Sequence, residues 1–237
     1  MVSQNNNNNN SKRGYLILIE GLDRTGKSTQ AQYLSEISLL NDPILYKFPN
    51  RSTNIGKIIN RYLTDKTMET VPDQTIHLLF SSNRWECINE IKTCLLNGKN
   101  VILDRYVYSG IAYSMAKNIK QMDYKWCYNC DVGLLKPDLT LFFQNRKNAM
   151  NTGFGDERYE TADFQQQVAT KFNEIFYKWE DKKYLNENIK FIDVENLSIR
   201  QVNKIVLQTV QEFIDAEKER QEKQKTALPF KFFEPLS

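Results

Sequence analysis

At 237 residues, 41% of them hydrophobic, the chain is long enough to pack one sizeable α/β domain around its own core. Its formal net charge of +3 is too small to imply a nucleic-acid surface. No apolar run nears the roughly 18 residues needed to cross a bilayer, and no basic segment followed by an apolar stretch marks a secretory signal. The expectation is an intracellular protein, of cytoplasm or nucleus, with neither membrane nor nucleic acid as a partner.

Residues 1–12 include an unbroken asparagine run from Asn5 to Asn10, a low-complexity polar tail that cannot form a core and is expected to be disordered. The folded domain is expected over 13–215. Residues 15–20 read as a buried strand. Directly after it, Gly21-Leu-Asp-Arg-Thr-Gly-Lys-Ser28 satisfies G-x-x-x-x-G-K-S/T and leads into a predicted helix over 26–40. A strand before and a helix after is the setting a phosphate-cradling P-loop requires. The glycines let backbone N–H groups converge on phosphate oxygens, and the helix N-terminus adds positive potential. Gly21, Thr25, Gly26, Lys27, Ser28 and Thr29 are therefore the expected triphosphate site, with Lys27 on the terminal phosphates and the Ser28 hydroxyl on Mg²⁺. Asp23 and Arg24 fill positions that the motif leaves open. A carboxylate beside polyphosphate is costly unless it faces another ligand, so Asp23 is expected to meet a hydroxyl of a second substrate. Arg24 could then bridge the phosphates of donor and acceptor. The alternative is a solvent-exposed ion pair of little worth.

Farther along, residues 43–48 read as a strand ending at Pro49, 54–63 as a helix, and 72–97 as a long helix opened by Pro72 and stopped by Gly98. A strand over 100–104 precedes a helix over 105–118. A strand over 137–143 precedes a polar loop over 145–156 containing Gly153 and Gly155. Then come a helix over 161–184, a strand over 189–194 and a final helix over 198–225. This alternation predicts an α/β fold with a parallel five-stranded sheet covered by helices on both faces, and ligands beyond the C-terminal strand ends. From Glu217 to Lys225 the last helix is strongly charged, which reads as a solvated face. Residues 216–237 are taken as a C-terminal extension whose apolar stretch Leu228-Pro-Phe-Lys-Phe-Phe233 is suited to dock on the domain.

The chemistry falls just after the strands. Asp104 closes an apolar run and is the expected partner of Mg²⁺ through water. Arg105 follows it, and Arg51 ends Phe48-Pro-Asn-Arg51. Two arginines converging on one crevice make a monophosphate clamp, each charge-assisted hydrogen bond contributing about 1.5–3 kcal/mol; unrelated surface arginines are the alternative. Phe80 and Arg84, four apart, share a helix face with Ile76, Cys87, Ile88 and Ile91. An arginine inside an apolar stripe needs a buried polar partner. A nucleobase provides one, with Phe80 stacked on its ring, although core packing accounts for Phe80 taken alone. The segment Gly153-Phe-Gly-Asp-Glu-Arg158 reads as a lid over about 145–160 with Arg158 as its best cation, or as an ordinary loop. The single C-x-x-C of Cys127 and Cys130, with the sole histidine His77 distant in sequence, is weak evidence for a metal. The guanine-reading Asn-Lys-x-Asp is absent, which favours a small-metabolite kinase over a switch.

In combination, Glu20-Gly-Leu-Asp-Arg-Thr-Gly-Lys-Ser-Thr-Gln30, Phe48-Pro-Asn-Arg51, Leu78-Leu-Phe-Ser-Ser-Asn-Arg-Trp-Glu86, Asp104-Arg-Tyr-Val-Tyr-Ser-Gly110, Lys136-Pro-Asp138 and Gly155-Asp-Glu-Arg-Tyr159 resemble the thymidylate kinase family over about residues 14–194. The likeness is to the eukaryotic, fungal-like type that keeps its catalytic arginine in the P-loop. The resemblance implies the P-loop nucleoside monophosphate kinase fold, and transfer of the γ-phosphoryl of ATP to dTMP with Mg²⁺, a step toward dTTP. It implies that Asp23 contacts the 3′-hydroxyl of dTMP, that Arg51 and Arg105 bind its phosphate, and that Phe80 stacks on thymine while Arg84 donates to O4. Tyr113 would crowd the sugar 2′ position, and Phe48, Ser109 and Gly110 would complete that site. Arg24, Lys27, Asp23 and Arg158 would form the catalytic set, Arg158 reaching ATP from the lid, in a homodimer built on helix packing. Asn50 and Ser82 stand where the family often has glutamate and alanine. One rival reading is a kinase for UMP and CMP, disfavoured because cytosine presents an amine to Arg84. Another is a silent P-loop protein, disfavoured because Arg24, Lys27 and Asp104 are all retained.

Overall fold

In the computed structural model, which describes residues 12–65, 71–145 and 157–236, the strands are β1 (Leu16–Gly21), β2 (Ile44–Lys47), β3 (Val101–Asp104), β4 (Leu135–Lys136), β5 (Leu139–Gln144), β6 (Ile189–Asp193) and β7 (Lys231–Phe232). Five of them make one parallel sheet in the order β2–β3–β1–β5–β6, and β4 pairs antiparallel with β7. The helices are α1 (Lys27–Ser35), α2 (Asn54–Thr64), α3 (Asp73–Leu96), α4 (Val107–Met115), α5 (Tyr124–Asn129), α6 (Ala162–Glu174), α7 (Lys182–Asn188) and α8 (Ile199–Gln224). None of the described helices is long and apolar enough to cross a membrane.

The apolar runs of β1 and β5 follow from their central place, because a parallel sheet is buried on both faces. Successive side chains of β1 point to opposite sides. Leu16 and Leu18 pack with Ile91, Leu95, Val107 and Phe172 from α3, α4 and α6. Ile17 and Ile19 pack with Ala31, Leu34, Val206 and Val210 from α1 and α8. The register sets Ile19 beside Asp104 and Gly21 beside Phe143. The loop after β1 and the turn after β3 therefore open at the same edge of the sheet, where the phosphate chemistry was expected.

Three expectations change. The predicted helix over 26–40 ends at Ser35, and a short 3₁₀ turn, Ser38–Leu40, carries the chain on. The predicted helix over 161–184 is broken: α6 passes into a widened π turn, Ile175–Trp179, Glu180 is extended, and α7 starts afresh from an Asp181 cap. Glu180 is drawn out by long-range partners, accepting from Lys136 Nζ at 2.7 Å and from the Tyr108 hydroxyl. Helix α5 and the β4–β7 ribbon had no sequence signal. Helix α8 runs through position 215 without interruption, and the chain beyond it returns to the domain. There Phe233 is 1% exposed against Tyr106, Tyr108 and Tyr128, and Arg13 holds the carbonyls of Leu228 and Pro229. The asparagine-rich tail, apart from Lys12, and the loop glycines Gly153 and Gly155 lie outside the described residues. Cys87, Cys94, Cys127 and Cys130 are free thiols, and burial pushes Cys127 up to about 12.

Candidate active site

The loop after β1 is shaped by its backbone. Gly26 caps α1 at φ 84°, a left-handed conformation that strains any residue with a Cβ. Arg24 and Arg105 hold φ near that region without being glycines, at 65° and 66°. Such strain persists where the surroundings over-determine it, and it concentrates at functional sites. Inside the loop, Thr25 Oγ1 donates to Leu22 O at 2.9 Å and Lys27 Nζ donates to the same carbonyl. Lys27 is buried. That burial, then repulsion from Arg105, lowers its ammonium to about 7 against the pull of Asp23, Asp104 and Glu20.

Ser28, one residue into α1, donates its hydroxyl to Asp104 Oδ2 at 2.6 Å. Lys47 stands beside them, its Nζ 3.3 Å from Ser28 Oγ and 3.8 Å from Asp104 Oδ2. The other carboxylate oxygen, Asp104 Oδ1, is buried with no hydrogen-bond partner among the described residues. A hydroxyl and a buried carboxylate with an unused oxygen are hard donors that fit Mg²⁺.

A cleft of about 1010 Å³ opens between this edge, α3 and α4. Asp23, Phe48, Arg51, Phe80 and Arg84 line it, and so do Arg105, Ser109, Gly110 and Tyr113, so every residue expected at the acceptor nucleotide shares one cavity. Asp23 forms an ion pair with Arg105 and accepts from Tyr113 Oη at 3.0 Å and Gln165 Nε2 at 2.8 Å. Burial alone would raise its carboxyl, but Arg105, Lys27 and the two hydrogen bonds hold it below the ordinary aspartate range. Arg105 also donates to Ser109 Oγ at 3.1 Å. Arg51 donates to Asn60 and to Glu157, each at 2.8 Å, and Arg24 lies 3.8 Å from Glu160.

Two residues are placed differently from their sequence reading. Arg84 was expected to find its buried polar partner in a nucleobase. Its Nη2 and Nε instead donate to Asp131 at 2.6 and 3.1 Å, because a guanidinium 3% exposed requires a counter-charge within the fold. Arg158 was expected over ATP. It donates to Tyr62 O and Asp65 O at 3.2 and 3.3 Å and lies 4.5 Å above the Tyr62 ring, which ties it to the end of α2. Phe80 is half-buried: it packs on the small cluster of Ile59, Tyr62, Leu63 and Ile76, in line with its core-packing reading, and it also lines the cleft.

Three residues of the site had no assigned role. Glu20, fully buried at the end of β1, accepts from Tyr106 N, Ser109 N and Ser109 Oγ at 3.0, 2.9 and 2.7 Å, and so sets the turn that presents Arg105. Its signal was a carboxylate ending an otherwise apolar strand. Gln165 bridges Asp23, Tyr113 and the carbonyl of Tyr159, yet in sequence it is only the first of three consecutive glutamines. Asp131 sits in a loop after α5, and its sequence surroundings carry no mark of a buried charge.

A family model described as thymidylate kinase matches residues 19–206. The thymidylate kinase of Dictyostelium discoideum is 44% identical over 193 residues, covering 78% of this chain and 83% of its own length. The human thymidylate kinase is 44% identical over 169 residues, covering 70% of this chain and 78% of its own. Among solved structures, that of thymidylate kinase from Candida albicans superposes with a TM-score of 0.75 at 41% identity, covering 94% of this chain and 99% of that one. Thymidylate kinase from Ehrlichia chaffeensis gives 0.60 at 25% identity, covering 84% of this chain and 98% of that one.

Proposed function

Because the chain belongs to the thymidylate kinase family, which phosphorylates dTMP to dTDP with ATP as donor, we propose that the cleft between β1, α3 and α4 binds dTMP and the loop after β1 binds MgATP. The observation that carries this assignment is the meeting of Asp23, Arg51, Phe80, Arg84 and Arg105 in one cavity that reaches Ser28. The phosphate of dTMP docks on Arg51 and Arg105, and its base lies between Phe80 and Arg84. Asp23 accepts from the 3′-hydroxyl, and Tyr113 closes the space that a 2′-hydroxyl would need.

Phosphoryl transfer asks little covalent work of the protein; positioning and charge stabilisation dominate. Lys27 and Arg24 neutralise charge on the transferred group. Bound polyphosphate favours the charged form of Lys27 and returns it to an ammonium. Ser28 and Asp104 would hold Mg²⁺, which supplies charge neutralisation at the donor phosphates. Leu78 and Trp85, large apolar residues on α3 that are 46% and 40% exposed, support a homodimer formed through that helix. Free thiols support an intracellular setting.

Thymine differs from uracil by one methyl group, worth about 1–3 kcal/mol, so dUMP is expected to be a poor but real substrate. ADP release measured over dTMP, dUMP, UMP, CMP and dGMP tests the reading. Preference for a ribonucleotide would overturn it.

A further inference from the structure

We infer that Asp131 is a positioning residue for base recognition: it grips the Arg84 guanidinium along one edge, so that Nη1 is the donor left to the cleft. The inference rests on the reading of that cleft as the dTMP site. Both members of the pair are withdrawn from solvent, with side-chain exposures of 3% for Arg84 and 0% for Asp131. Arg84 Nη2 meets Oδ2 at 2.6 Å and Nε meets Oδ1 at 3.1 Å, a two-point contact that fixes both the plane and the rotation of the guanidinium. Asp131 is itself held, because Ser81 Oγ donates to its Oδ1 at 2.8 Å. Ser81 lies three residues before Arg84 on α3, on the same face. One helix therefore supplies both the cation and the hydroxyl that aims its counter-ion.

Gly110 of α4 completes the seat. A Cβ there would come within 2.8 Å of Nη1 and Nη2 and 3.1 Å of Cζ, so the guanidinium lies against bare backbone. The Arg84 hydrogen bonds run through Nε and Nη2 to Asp131, while Arg84 and Gly110 share the cleft wall. The pairing also sets the chemistry of the donor. An unpaired guanidinium in a low-dielectric pocket attracts any anion. Neutralised by Asp131, Arg84 offers a directional N–H to a neutral carbonyl and holds little attraction for phosphate at the base end.

The test is steady-state kinetics of the full chain carrying Asp131→Asn, Arg84→Met, or both, with folding followed by thermal melting. Asp131→Asn should raise KM for dTMP on the order of tenfold, with kcat and KM for ATP within about twofold, and should make inorganic phosphate a stronger competitor of dTMP. In the Arg84→Met background the same change should add less than about twofold to KM. If Arg84→Met raises KM for dTMP while Asp131→Asn leaves it unchanged, or if Asp131→Asn depresses activity equally in both backgrounds, the positioning role is overturned and the base-site reading survives. If Arg84→Met leaves KM for dTMP unchanged, the base-site reading itself falls. Should Asp131→Asn fail to fold, Ser81→Ala carries the same cycle: a KM rise of about threefold, absent in the Arg84→Met background, supports the inference, and no rise overturns it.

Discussion

Ser28 and Asp104, 76 positions apart in sequence, are joined by a 2.6 Å hydrogen bond across neighbouring strand ends, and the second oxygen of Asp104 is left buried without a partner among the described residues. An unpartnered buried carboxylate oxygen costs folding free energy on the order of 1–3 kcal/mol unless a ligand uses it. The pair therefore links stability to function with opposite signs.

Asp104→Asn should leave the melting temperature unchanged or raise it, while increasing the Mg²⁺ concentration needed for half-maximal rate by about tenfold or more. A magnesium titration at saturating ATP and dTMP, run beside a thermal melt, measures both. An unchanged magnesium requirement would remove Asp104 from the metal site.

Arg24 holds a left-handed backbone position in the loop after β1, φ 65°, with its guanidinium 3.8 Å from Glu160. Arg24→Ala should reduce kcat on the order of 10³-fold, the range of catalytic arginines in phosphoryl transfer, with KM for ATP changed far less. Pre-steady-state nucleotide binding separates the two effects. Turnover within a few-fold of the unaltered protein would refute the catalytic role.

Lys27 is lowered to about 7, first by burial and then by Arg105. A cation with a depressed folded-state pKa opposes folding while it is charged in both states. That cost is full below about pH 7 and fades as pH rises toward the ordinary lysine value. Lys27→Met should therefore be more stable than the unaltered protein at pH 6, with the advantage shrinking between pH 7 and 10. Urea unfolding across that range reads the difference. In the same way, ATP binding near pH 8 should take up close to one proton, seen as a calorimetric enthalpy that varies with the buffer's ionisation heat.

Phe233 lies beyond the segment matched by the family model, 19–206, yet it is 1% exposed and packs on Tyr106 and Tyr108, directly behind Arg105. Phe233→Ala should cost about 3–5 kcal/mol of stability, as other large-to-small core changes do. It should also raise KM for dTMP more than KM for ATP, because its neighbours support the arginine turn. Denaturant unfolding and a two-substrate kinetic matrix give both numbers. A loss of less than about 0.5 kcal/mol would mean that the tail is not part of the core.

Residues 15–28, the five-stranded parallel sheet implied by alternating elements, and the strand-end placement of Asp104 and Arg105 were all legible along the chain. They depend on local backbone chemistry: a 2-residue period in strands, glycines where φ must be positive, and a fixed loop length between strand and helix. The break at Glu180 was not legible, because helical propensity runs through it and only Lys136 and Tyr108, brought close by the fold, pull its side chain away.

By itself the sequence determined that a phosphate loop follows the first strand, and that arginines and a carboxylate stand where a parallel sheet presents ligands. Only the tertiary structure decided which charges meet. Asp131 is 47 residues from Arg84, Gln165 is 142 from Asp23, and Phe233 returns from the end of α8 to pack behind Arg105. A buried charge must find its counter-charge within a few ångströms. That partner is chosen by proximity in space, which no spacing along the chain encodes.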